Sequence, residues 1–334
     1  MSLKSLKFIY PFALLFIVIL SRVLVSEQYF FGYDSVNYAL AVQDYSLDAT
    51  RPHLPGSILF VKSIEVLKYF TKDIHSSFLL LLQLFSVLAT LISYKIFLKY
   101  FNITESLLLT LFLIFNPMVW FYGAVTEIYV FDWFFVSLIL YFSQKRSAVY
   151  ILPFVFAIGS GFRPSSGVLL LPFYFYLLWK NNNINWKYLS SSFVIAFALF
   201  LAWFIPLTNN AGGISEYFEL FKNNNPIEQI SFLQNIFRFS SIATYLFFPF
   251  LIAAFFIKKK SLRLQKSEII PILFLILPPF LFLVFSHYSK GYALLTITPF
   301  VLLLGFLIKK RLVLVLQFAI IFEVAFFLFF PSSD

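Results

Sequence analysis

The residues of this sequence with the chemistry to act on a substrate are few, and they fall between apolar runs. Asp34 lies in the polar stretch FGYDSVNYALAVQDYSLDATRPHLPGS, residues 31 to 57, and Glu127 lies in FYGAVTEIY, residues 121 to 129. Two carboxylates at a membrane-embedded surface can serve as a general base and its activator, or can hold a divalent cation such as Mg2+ or Mn2+ through oxygen ligands. Arg51, His53, Arg163, His287 and Lys290 are cations or potential cations on similar turns. A phosphate leaving group needs such donors aimed where negative charge develops.

Each of these residues also has a plainer reading. Glu127 fits a hydrated loop or a charge favoured by a helix N-terminus. Arg163, in Gly159-Ser160-Gly161-Phe162-Arg163-Pro164, fits a headgroup anchor. His53 is flanked by Pro52 and Leu54-Pro55 and fits a turn. The three histidines are scattered over separate loops without the spacing of a metal site. Asp44 and Asp48 read as the wet side of a helix beginning at Asp34.

The elements that must position these groups follow from composition. The chain is 61% hydrophobic and 12% charged over 334 residues, far from the soluble balance of about 25% charged, so an integral membrane protein is expected. Several apolar runs approach the roughly 20 residues that cross a bilayer as a helix, and few alternate with the period of a membrane barrel. The expected fold class is all-α and polytopic, a single transmembrane domain over residues 1–334. Eleven spans are placed at 8–25, 77–98, 105–121, 128–143, 148–162, 166–179, 188–207, 241–257, 268–286, 291–308 and 312–330. The apolar run that opens the chain exceeds a signal-peptide core and reads as a retained first span.

Most lysines and arginines fall on one set of loops, among them Lys95, Lys99, Lys145, Lys180, Lys258 and Lys309. The positive-inside rule puts that set in the cytoplasm, and the histidines and most acids then face outward. The formal charge of +10 is distributed for topology, and nucleic acid is not an expected partner. Two outer segments are long enough for structure of their own. Residues 26–76 are expected to carry two interfacial helices. The first has Asp34, Asn37, Ala41, Asp44 and Asp48 on one face, with Val36, Leu40, Gln43 and Leu47 on another. The second sets Lys62, Glu65, Lys68 and Lys72 opposite Ile58, Val61, Ile64 and Leu67. Residues 208–240 are expected to form a flap or a further interfacial helix.

Several classes lose support. There is no cysteine, hence no disulfide or thiolate metal site. There is no Walker motif, no G-x-G-x-x-G after a strand and no H-E-x-x-H. No internal repeat of the kind that builds secondary transporters is visible. Asn102-Ile103-Thr104 fits a glycosylation pattern on the wrong side of the membrane. The 49 phenylalanines read as packing and interface residues.

Three patches carry a family resemblance. Asp34-Ser35 followed by Arg51-Pro52-His53-Leu54-Pro55-Gly56 resembles the first outer loop of GT-C-type membrane glycosyltransferases, bacterial members of which show D-S and H-P-P-G-Y-P elements there. Val125-Thr126-Glu127-Ile128-Tyr129 looks like that family's second-loop acidic motif. Lys290-Gly291-Tyr292-Ala293-Leu294, running on to Pro299, is similar to its R-Y-x-L-P-x-x-P segment. Leu54 stands where the family has proline, Ser57-Ile58 replaces an aromatic-proline pair, and Lys290 replaces an arginine with Gly291 inserted. The family includes protein O-mannosyltransferases and the aminoarabinose transferase acting on lipid A.

The resemblance implies a catalytic Asp34 with Glu127 as its partner, a divalent cation being possible between them and not required. It implies that Lys290, Arg163 and Tyr292 bind the donor phosphate, and that His53, Arg51 and His287 contact donor or acceptor. The implied activity is transfer of a sugar from a polyprenyl-phosphate donor to a glycan, lipid or protein acceptor at the outer face of the cytoplasmic membrane. The alternatives are a transporter or flippase for lipid-linked sugars and a noncatalytic assembly subunit.

Overall fold

A computed structural model describes residues 3–223, 234, 237, 266–285, 290–308 and 312–329. The order is α1 (Leu3–Val23), α2 (Tyr33–Gln43), α3 (Ile58–Thr71), α4 (Ile74–Leu98), α5 (Ile103–Phe115), α6 (Pro117–Tyr122), α7 (Val130–Ser143), α8 (Ala148–Phe162), α9 (Pro164–Lys180), α10 (Trp186–Asn210) and α11 (Ile214–Asn223). After a gap come α12 (Lys266–Phe285), a 3-10 turn (Lys290–Ala293), α13 (Leu294–Ile308) and α14 (Leu312–Phe329). The architecture is an all-α polytopic membrane fold, and a helix stands at each expected span except 241–257, which lies outside the described residues.

Among the described residues, three helical stretches are long and apolar enough to cross a bilayer by themselves: Ile74–Leu98, Trp186–Asn210 and Lys290–Leu307. The other apolar helices are shorter, because the chain breaks inside the expected spans. Asn116 ends α5 and, by accepting a hydrogen bond from Met118 N–H, opens α6 with Pro117 in its first turn. The residues from there to Tyr129 are not one continuous helix, yet nearly all of them are buried. Irregular backbone at membrane depth is tolerated where protein covers it.

The bundle is knitted by α4 against α7, α7 against α13, α8 against α10 and α5 against α14. Its centre holds Trp133, Phe131, Phe135, Phe78 and Phe60, all essentially without solvent contact. Between α4, α7 and α13 the hydroxyls of Ser93, Ser137 and Thr298 hydrogen-bond one another, and Trp133 Nε1–H donates to Thr298 Oγ1 at 3.1 Å. Small hydroxyl residues of this kind let membrane helices approach closely and tie them together. Asn102, the glycosylation-pattern residue, caps α5 in a reciprocal pair with Glu105.

Both interfacial helices of the first long loop are present as α2 and α3. In α3 Ile58, Val61 and Ile64 are buried and Lys62 and Lys72 are exposed, as the stripe predicts. In α2 the expected facing is reversed. Asn37 and Ala41 pack inward, while Val36 and Leu40 are 41% and 36% exposed. The helix also ends at Gln43, so Asp44 and Asp48 are not on it. The small and polar side is the one that fits over the bundle, which leaves the apolar side for lipid. Leu47 joins a second cluster with Ile58, Trp203, Leu207 and Tyr217, which seats α10 and α11 against the first loop. Of the second long segment, α11 is described as a helix, and residues 224–233 and the rest to 240, apart from 234 and 237, lie outside the described residues.

Candidate functional site

At one end of the bundle four irregular segments meet: 24–32 before α2, 44–57 after it, 123–129 before α7, and the α8–α9 junction at Arg163. Asp34 lies in the first turn of α2, where the helix dipole favours a negative charge. Gly32 caps that helix; its N–H donates to Ser35 Oγ, which in turn donates to Gly32 O. Gly56, with φ +102°, turns the chain from the His53 loop into α3. A Cβ there would meet Leu207 Cδ1 at 2.5 Å, and Gly56 O accepts from Tyr45 O–H, so only glycine fits.

This turn delivers His53 to Asp34. His53 Nδ1 lies 3.4 Å from Asp34 Oδ1, with the two side chains 36% and 40% exposed. Tyr38 packs edge-on against the imidazole with ring centroids 5.4 Å apart, and its hydroxyl donates to Ser57 Oγ. Burial pushes the His53 pKa below its ordinary value; Asp34 opposes that shift and Arg163 adds to it.

Glu127 is not in a hydrated loop. It is 7% exposed and sits in the covered segment before α7. Its Oε1 lies 3.5 Å from the position a Cβ on Gly32 would occupy, so it faces the cap of the Asp34 helix.

Arg163 is 4% exposed and differently satisfied. Its Nη1 lies 3.2 Å from Asp132 Oδ2, and Asp132 Oδ1 accepts from Ser166 O–H. The guanidinium is held between two aromatic rings, 4.0 Å from the centroid of Tyr129 and 4.3 Å from that of Tyr292. Such a cation over ring faces gains about 0.5–2 kcal/mol per contact. Tyr292 O–H is 2.9 Å from Ser165 Oγ. Gly291 makes room for this packing, since a Cβ there would run into the Tyr129 ring at 2.1 Å. Lys290 opens the 3-10 turn one residue earlier and is partly buried.

Of the remaining expected residues, Arg51 turns to Asp44 at 3.3 Å in an exposed pair and closes the 46–51 turn through backbone hydrogen bonds between Ser46 and Arg51. His287 lies outside the described residues. Asp132 escaped the sequence reading, although an acid in the first turn of an apolar span needs a partner, and Arg163 stands at the matching end of a nearby span. Among the described residues no three His, Cys, Asp or Glu side chains gather as a ready metal-ligand set. Asp34 and Glu127 therefore fit a Mg2+-type site only in the form where one or two carboxylates are completed by substrate phosphate oxygens.

No family model matches the chain, and no curated protein matches it in sequence. Among solved structures it is similar to the apo crystal structure of ArnT from Cupriavidus metallidurans, with a TM-score of 0.66 at 15% identity. The likeness covers 91% of this chain and 60% of that one, so the chain spans about three fifths of the ArnT length. The bundle and its interfacial helices thus make up a GT-C-like fold.

Proposed function

We propose that this protein is a glycosyltransferase that moves a sugar from a polyprenyl-phosphate donor to an acceptor at the outer face of the cytoplasmic membrane, in one inverting displacement. The observation that carries this reading is the meeting of Asp34, His53 and Glu127 beside the Arg163–Tyr292 knot, at one end of a GT-C-like bundle. The acceptor hydroxyl or amine gives its proton to Asp34 while its lone pair attacks the anomeric carbon. The bond from that carbon to the phosphate oxygen breaks, and the polyprenyl phosphate leaves with the electron pair. Neutral His53 stands beside Asp34, and Glu127, facing the Gly32 cap of the same helix, is its partner carboxylate.

Lys290 and the Tyr292 hydroxyl receive the leaving phosphate in this reading. Arg163 stands behind Tyr292 with its charge balanced by Asp132, so it contributes orientation more than net positive charge. Arg51, paired with Asp44, is left out of the machinery. A divalent cation, if used, would be held by Asp34 and Glu127 together with donor oxygens, and would supply further neutralisation of the leaving group.

Purified protein in proteoliposomes, given a polyprenyl-phosphate sugar and membrane extract as acceptor, should yield a glycosylated product by mass spectrometry. The Asp34→Asn variant should not. Movement of the lipid-linked sugar across the vesicle without any product would instead identify a flippase.

A further inference from the structure

The segment from α1 to α2 is laced to the segment before α7 by one carboxylate. Glu27 Oε1 accepts hydrogen bonds from both the backbone N–H and the hydroxyl of Thr126, each at 2.5 Å and across 99 residues of sequence. Glu27 N–H donates to Ala124 O at 3.2 Å, and Phe31 N–H donates to Thr126 Oγ1 at 3.0 Å. Thr126 is fully buried and immediately precedes Glu127, while Phe31 immediately precedes Gly32, the residue that Glu127 faces. Asp34 follows two positions later. Glu27 thus bridges the two chain segments that carry Asp34 and Glu127.

We propose that Glu27 is a positioning residue, whose bonds to Thr126 set Glu127 against the cap of the Asp34 helix. This rests on the reading of Asp34 and Glu127 as the working pair. A charged acceptor makes hydrogen bonds about twice as strong as a neutral one, so a carboxylate suits two donors converging on a single oxygen. Burial raises the Glu27 pKa even though the Thr126 bonds and nearby His75 at the start of α4 pull it down. His75 Nε2 itself lies 3.2 Å from Tyr29 O, and Asp73 caps the helix that carries His75. A carboxylate whose partners do not offset its burial is expected where position matters more than stability.

The chain contains no cysteine, so an introduced pair reports on the spacing without background. Gly32 has extended backbone and open space except toward Glu127, and accepts a side chain. With Gly32→Cys and Glu127→Cys, the rate of disulfide formation under mild oxidant gives the reference. It should slow about tenfold when Glu27→Ala is added, the equivalent of losing one or two net hydrogen bonds. An unchanged rate overturns the proposal. Should the cysteine pair fail to fold, amide exchange on the cysteine-free protein decides in its place: the Thr126 and Phe31 amides must exchange faster in Glu27→Ala, and unchanged protection overturns it.

In the sugar-transfer assay Glu27→Ala should lower kcat about tenfold at unchanged donor KM and unchanged thermal midpoint, with Glu27→Gln in between. Equal kcat for all three, or a loss of kcat that follows a loss of folded protein, overturns the positioning role. If the unaltered protein transfers no sugar, the proposed function falls, and crosslinking or exchange alone decides whether Glu27 sets this spacing.

Discussion

Two carboxylates at one end of this molecule, each beside a basic side chain, are surrounded in opposite ways. Asp34 and His53 meet across 3.4 Å with more than a third of each side chain exposed. Asp132 and Arg163 meet across 3.2 Å with 0% and 5% exposed, and Ser166, Tyr129 and Tyr292 occupy their remaining faces. The first pair is open on one side and the second is enclosed. Buried charge alone therefore does not mark the reacting groups here. On the proposed function it marks the scaffold, and the acid with an open side is the one that exchanges a proton.

The sharpest way to break the comparison is Asp34→Asn. Sugar transfer should fall by about 10²–10⁴-fold, the usual contribution of a positioned general base, while the thermal midpoint hardly moves. Transfer at near-normal rate would show that the open pair is not the reacting one. Asp132→Asn should do the reverse, leaving Arg163 charged and unpaired in the interior and destabilising the fold by about 3–5 kcal/mol. Combining Asp132→Leu with Arg163→Met should restore most of that stability in thermal unfolding. A single Asp132→Asn variant that stays fully stable but loses transfer would move Asp132 from scaffold to chemistry.

His53 sharpens the same contrast through pH. Because burial lowers its pKa, the folded protein resists protonating it more than the unfolded chain does. Stability should thus decline as pH falls from the ordinary histidine value to the lower folded one, and transfer should fall with it as the imidazolium pairs with Asp34. A pH–rate profile and unfolding curves of His53→Gln should lose both dependences. The smallest effect is expected at Arg51→Ala. Its pair with Asp44 is exposed, such pairs contribute about 0–1 kcal/mol, and neither transfer nor unfolding should change measurably.

Much of the fold was legible in the sequence, since apolar runs and charge distribution act over long stretches and survive local errors. The helices α2 and α3 followed from periodicity, and the stripe of Lys62, Glu65, Lys68 and Lys72 was placed correctly. The facing of α2 was not legible. Asn37 and Ala41 look like a wet face until the bundle beneath them is known, and Val36 and Leu40 look like a core face in a chain where lipid accepts both. Asn116-Pro117 interrupts the run expected as one span, and the chain from there to Glu127 is irregular yet nearly all buried.

By itself the sequence determined that the chain forms a helical membrane bundle with candidate acids and histidines between its apolar runs, because transfer of side chains out of water depends on residue type more than on neighbours. It also singled out Asp34, Glu127 and His53 as groups worth a chemical reading. Only the tertiary structure decided which charges answer one another. Asp132 and Arg163 are 31 positions apart with no local signal joining them, and Glu27 and Thr126 are 99 apart. Pairing at such separations is set by how the helices pack, and no short stretch of sequence carries that information.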